Sequence, residues 1–124
     1  MTVKELYEEI NGNYEEVLAR LMNDKLVTRF AIKYIDDPSY ESFVKAWEGG
    51  DPETIFRAAH TLKGVLANLS FIDVFEPASE ICEAYRPGKE GLRETTDCRA
   101  LVEVLAGRHG HLIETLKKFA SEQE

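Results

Sequence analysis

The residues best suited to chemistry lie in one stretch, Ala58-Ala59-His60-Thr61-Leu62-Lys63-Gly64-Val65-Leu66-Ala67-Asn68-Leu69. Ile55, Ala59, Leu62, Leu66 and Leu69 recur at alternating spacings of four and three, a complete buried seam for a helix. At about 100° per residue, His60 projects roughly 140° from the centre of that seam, onto the wet face. An exposed neutral imidazole is a good nucleophile near pH 7 because its pKa lies close by. Lys63, three residues on, sits on the flank within reach of it and offers charge to a bound anion. Gly64 follows on the exposed side. A glycine inside an otherwise strong helix costs about 1 kcal/mol against alanine, so it needs a reason. Close approach is one: small side chains at Gly64 and Ala67 clear a shallow site beside His60. The chemistry this suits is uptake of a phosphoryl group on the imidazole. No phosphate loop, GxGxxG element or acidic cluster for Mg²⁺ accompanies it. The transition state must therefore be stabilised largely by a partner.

The elements that position these residues read as helix almost throughout. Prolines occur only at 38, 52, 77 and 87, and no alternating run of strand length appears. Thr2 can cap a short first helix through Ile10, ended by Asn11-Gly12-Asn13. Tyr14 to Met22 forms a second segment. Asn23 or Asp24 starts a third, carrying Leu26, Phe30, Ile32 and Ile35. Ser39 is expected to cap the next helix, Tyr40 to Glu48, with Phe43 and Trp47 facing the core. Asp51-Pro52-Glu53 is a strong start for the His60 helix, a capping side chain followed by proline and an acid in the first turn. That helix is expected to run to about Phe71. Pro77 marks the start of the next helix or a kink in it, and Arg86-Pro87-Gly88 ends it. A polar loop through Thr96 leads to a last helix, Asp97 to Ala120, with Leu101, Val104, Leu105, Leu112, Leu116 and Phe119 as its seam. The expected fold is all-α: an antiparallel up-and-down four-helix bundle with an additional short N-terminal helix, one domain over residues 1–124.

Composition narrows the function classes. The chain has 124 residues, room for one core, with 44% apolar and 31% charged residues. Its net charge of −8 repels a phosphate backbone, and the basic residues form no stripe, so nucleic acid is not an expected partner. Apolar runs fall short of the roughly 18 residues of a membrane span, and the charged N-terminus lacks a signal-peptide core. A cytoplasmic protein that does not bind membranes is expected. Cys82 and Cys98 have no metal-ligand spacing and read as free thiols. His109 and His111, two apart, point to different sides of a helix and read as surface residues. No Glu-x-x-His pair suggests a di-iron bundle.

Ala59-His60-Thr61-Leu62-Lys63-Gly64, followed by Ala67-Asn68, resembles the signature of histidine-containing phosphotransfer (HPt) domains of multistep phosphorelays, and is similar to the phosphoacceptor domain of chemotaxis kinases. The resemblance extends over nearly the whole chain. It implies that His60 is the phosphoacceptor, that Lys63 stabilises the phosphoryl group, and that Gly64 gives clearance for receiver docking. It also implies that the partners are receiver domains of response regulators and hybrid histidine kinases, with Mg²⁺ on the receiver and no cofactor on this chain. Such a protein is a phosphocarrier without autonomous kinase activity, and a monomer is expected. Relatives often carry glycine where this chain has Ser70, and small residues where it has Val65 and Leu66. Many also place a Glu or Gln in the next helix to orient the imidazole; here Ser79, Cys82 and Glu83 occupy that region. Phe56, Arg57, Ala67, Asn68 and Phe71 are the expected partner-binding residues, with Phe56 and Phe71 either an apolar rim for a receiver helix or covered by a neighbouring helix. The alternative reading is a phosphorylation-independent adaptor of the same fold that binds a receiver or kinase.

Overall fold

Most of the helices begin where a side chain can accept an orphan backbone N–H. Thr2 forms a full capping box with Glu5 at the head of α1 (Val3–Glu9). Asn13 caps α2 (Tyr14–Leu21), and Asn23 caps α3 (Asp24–Lys33). A 3-10 turn, Tyr34–Asp36, leads to α4 (Ser39–Gly49). Here the expected cap shifts: Ser39 is already helical, and Asp37 accepts its N–H at 2.8 Å. Asp51 caps α5 (Pro52–Asn68) by accepting from the Thr54 N–H at 3.0 Å, with Pro52 in the first turn. The chain continues through α6 (Ile72–Ala84), a short α7 (Glu90–Thr95) where a loop was expected, and α8 (Cys98–Ser121), capped by Asp97. This computed structural model describes residues 1–123. The fold is all-α, with no strand among the described residues.

α5 packs against both α4 and α6, and α6 against α8; α3 and α1 also close onto α8. The predicted seam of α5 is buried as read: Ile55, Ala59, Leu62 and Leu66 are at most 2% exposed. Burying each of the larger three contributes about 1.5–3 kcal/mol and fixes which face of α5 remains outside. Two aromatic and aliphatic assignments change. Phe30 and Val104, expected in the core, are 39% and 42% exposed, because α3 and α8 turn other residues (Val27 and Ala31; Leu105, Leu112, Leu116 and Phe119) inward. His109, expected at the surface, is buried: its ring stacks on Tyr40 at 3.8 Å between centroids, and its Nε2 lies 2.8 Å from the Tyr34 hydroxyl.

α5 ends three residues earlier than expected. The Ser70 N–H reaches the Ala67 carbonyl and the Phe71 N–H the Leu66 carbonyl, with Ser70 left-handed at φ 55°: a Schellman stop. Pro77 neither begins nor breaks α6; it lies inside it. Without an N–H it leaves the Asp73 carbonyl free, and Arg108 of α8 donates to that carbonyl at 2.8 Å.

Candidate functional site

His60 is exposed on the outer face of α5. The Phe56 ring, one turn earlier, lies 5.8 Å from the imidazole between centroids. The Arg86 guanidinium lies over the same Phe56 ring, its carbon 5.1 Å from the ring centroid. Arg86 holds the Glu83 carboxylate in a fork, Nε to Oε1 at 3.1 Å and Nη2 to Oε2 at 2.7 Å. Glu83 in turn accepts from the Lys63 ammonium at 3.3 Å. Lys63 belongs to α5, whereas Glu83 and Arg86 lie at the end of α6. The α5–α6 packing therefore links His60, Phe56, Arg86, Glu83 and Lys63 in a chain of contacts. The Arg86 hydrogen bonds, and after them the Lys63 hydrogen bond, pull the Glu83 pKa down to about 2, so the carboxylate is ionised at neutral pH.

Gly64 lies exposed one turn beyond His60, and a Cβ built there meets nothing within 4 Å. The glycine is thus not required by packing inside this chain. Ala67 is half-buried and Asn68 exposed, so the outer face of α5 stays low from Gly64 onward. Past Asn68 it runs into an open apolar cleft whose walls include Leu21, Phe30, Pro38 and Val65. Arg57 is exposed and pairs with Glu53 one turn back.

Three expectations for this site are corrected. Phe71 is 1% exposed and stacks against Tyr7 and Tyr34. It cannot form a docking rim, because the Schellman turn swings it inward once α5 has ended. Cys82 is fully buried, and burial pushes its thiol pKa up. Among the described residues the His60 imidazole has no hydrogen-bond partner, and none of Ser79, Cys82 and Glu83 bonds it directly. Glu83 is instead committed to the two cations. Arg86 was missed altogether, read only as part of a helix stop. Its signal was the Glu83–Arg86 spacing of three, which brings an acid in the last turn and a base just past the helix end together.

Among the described residues, no three His, Cys, Asp or Glu side chains converge as metal ligands, and no helix is long and apolar enough to cross a membrane. An all-helical frame that presents the exposed His60 on the same face as Lys63, whose ammonium shares Glu83 with Arg86, suits a helical group carrier. The Hpt domain family model matches residues 37–120, well over half of the chain, and the chain belongs to that family. Hpt domains serve histidine phosphotransfer in phosphorelays and interact there with receiver domains; they are phosphocarriers rather than enzymes. No curated protein and no solved structure matches the chain.

Proposed function

We propose that this chain is a phosphorelay intermediate that takes a phosphoryl group from a receiver aspartyl phosphate onto His60 and passes it to another receiver. The observation that carries the reading is the exposed His60, with Lys63 three residues on along the same helix, Arg86 over the Phe56 ring that neighbours the imidazole, and open space over Gly64. A ring nitrogen lone pair forms the N–P bond as the aspartyl P–O bond breaks, and that electron pair returns to the receiver carboxylate. Lys63, and Arg86 from the end of the neighbouring helix, would share the charge on the three phosphoryl oxygens. Mg²⁺ belongs to the receiver, and the chain needs no cofactor of its own. Gly64, Ala67 and Asn68 give the receiver a low surface to approach, with Phe56 and Arg57 at its edge. α4, α5, α6 and α8 make up the four-helix bundle of a single domain, and the protein acts as a cytoplasmic monomer.

The test is phosphotransfer from a phosphorylated receiver, with His60→Gln beside the wild type. Label on the wild type alone, lost in acid and stable in alkali, is the expected result. A second reading draws on the imidazole's lack of a hydrogen-bond partner: the fold then serves as an adaptor that binds a receiver without accepting phosphate. Retained binding with no label from any receiver of the same organism would establish that reading and exclude the first.

A further inference from the structure

Glu83 is a charged group at the site that receiver-to-histidine transfer does not itself require. A phosphoryl group on His60 needs cations, yet both nearby cations are already occupied by this carboxylate. Its two oxygens make three contacts with them: 2.7 and 3.1 Å to Arg86, and 3.3 Å to Lys63. The contacts span two helices, so Glu83 ties Lys63 of α5 to Arg86 at the end of α6. Arg86 is also parked on the Phe56 ring, which is itself next to the imidazole. An anion held in a fork by arginine and from the side by lysine is held as a phosphate would be held.

We propose that Glu83 is an internal counter-anion, which occupies Lys63 and Arg86 while His60 is bare and yields them when the phosphoryl group arrives. This rests on the carrier reading above. A phosphoryl group brings close to two negative charges and three acceptor oxygens against the single charge of a carboxylate, so it competes effectively for the same cations. The Lys63 stem is flexible and only 21% of that side chain is exposed, so its ammonium swings between neighbours without leaving the site. Glu83 and Arg86 side chains are 45% and 37% exposed, so water screens the pairs and the exchange is shallow. The consequence is functional. Because phosphorylation must displace Glu83, the carboxylate holds the equilibrium back toward the receiver and keeps phosphohistidine ready to release its group. A carrier that must both accept and donate benefits from that balance.

Each exposed ion pair of this kind shifts an equilibrium by a small factor, so the two together set an effect of about 3- to 10-fold. Glu83→Gln removes the charge and keeps the shape. Its affinity for inorganic phosphate, followed by NMR through the Lys63, Arg86 and His60 side-chain signals, is expected to rise by that factor. Adding Lys63→Gln should erase most of the gain, and Glu83→Asp, which restores the charge, should reverse it. At equilibrium with a phosphorylated receiver, Glu83→Gln should carry about 3- to 10-fold more label relative to the receiver than wild type does. Unchanged phosphate affinity in Glu83→Gln, or label moved toward the receiver, overturns the proposal. A gain in phosphate affinity in a protein that never accepts label keeps the counter-anion and removes the carrier reading instead.

Discussion

Gly64 allows stability and function to be pulled apart at one position. It sits within α5 with no neighbour of the chain within 4 Å of where a Cβ would stand. Glycine in a helix interior costs about 0.5–1 kcal/mol relative to alanine, mostly in backbone entropy. Gly64→Ala should therefore stabilise the protein by about that amount, a rise in Tm of roughly 2–6 °C for a chain of this size. Gly64→Gln should be close to neutral for folding, since its side chain points into open space. Phosphotransfer should behave oppositely. A receiver has to bring its aspartyl phosphate to the His60 nitrogen across this part of α5, and a glutamine one turn away stands in its path.

Transfer should fall at least tenfold in Gly64→Gln, equivalent to about 1.4 kcal/mol of lost docking. Gly64→Ala, with only one added methyl group, should fall less. Gly107→Ala in α8 is the internal control, because a Cβ there also meets nothing within 4 Å. It should gain comparable stability and transfer at the wild-type rate. Urea unfolding followed by circular dichroism gives the first quantity, and rapid-quench transfer from a labelled receiver gives the second. If Gly64→Ala destabilises the fold, the glycine serves the helix and the argument from open space is wrong. If Gly64→Gln transfers at full rate, the receiver does not approach over this face.

Burial holds the His109 pKa down at about 4, against about 6.5 for an exposed histidine. The unfolded chain thus takes up a proton below pH 6.5 that the native chain refuses, so this stability contribution is complete above pH 6.5 and is lost as the pH falls toward 4. The loss is on the order of 3 kcal/mol, and urea midpoints measured from pH 7.5 to 4.5 should fall more steeply for wild type than for His109→Gln; parallel curves would refute it. Tyr7→Phe leaves the buried Leu69 carbonyl without the hydroxyl that now donates to it at 2.7 Å, and should cost about 1–3 kcal/mol in chemical denaturation with the fold intact. Cys82→Ala should leave the transfer rate within about twofold of wild type, since the thiol is buried, burial holds it protonated, and it makes no hydrogen bond to the imidazole; a tenfold loss in quench-flow would restore it as the orienting residue.

The buried face of α5 was readable because a 4–3 repeat of apolar residues leaves only one way to place the helix, and that placement also puts His60 outside. The start of α5 was equally legible, since Asp51 and Pro52 act within their own turn. What sequence spacing could not show was any outcome decided between helices. Phe71, counted onto a longer α5, falls off the apolar seam on the His60 side, but the left-handed Ser70 reverses the chain first and sends the ring into the core. Pro77 looked like a boundary because the partner for its orphaned carbonyl, Arg108, comes from 35 residues away. His109 looked like a surface residue because its two tyrosine neighbours lie on the 3-10 turn and α4. At the site itself, Glu83 was noticed for the wrong partner. Its choice of Lys63 and Arg86 over the imidazole depends on how α6 lies against α5.

The region before residue 37 lies outside the family match, yet it braces the far end of the helix that bears His60. Serine at a left-handed helix stop lacks the freedom of glycine, so Ser70 needs compensation. Its hydroxyl donates to Glu16 at 2.6 Å and accepts from Arg20 at 3.3 Å, while its carbonyl accepts from the Asn13 N–H at 2.9 Å. Arg20 also donates to the Asn68 carbonyl at 2.7 Å, capping the open C-terminal end of α5 with a cation. Tyr7 donates to the carbonyl of Leu69 in between, and Gly12 allows the approach: a Cβ there would come within 2.7 Å of the Tyr7 ring and 3.0 Å of the Ser70 carbonyl. The chain thus ends this helix on a serine, with partners supplied by two N-terminal helices and the turn between them. The direction of α6, and with it the reach of Glu83 and Arg86 toward Lys63, is therefore set at a corner that α1 and α2 hold shut.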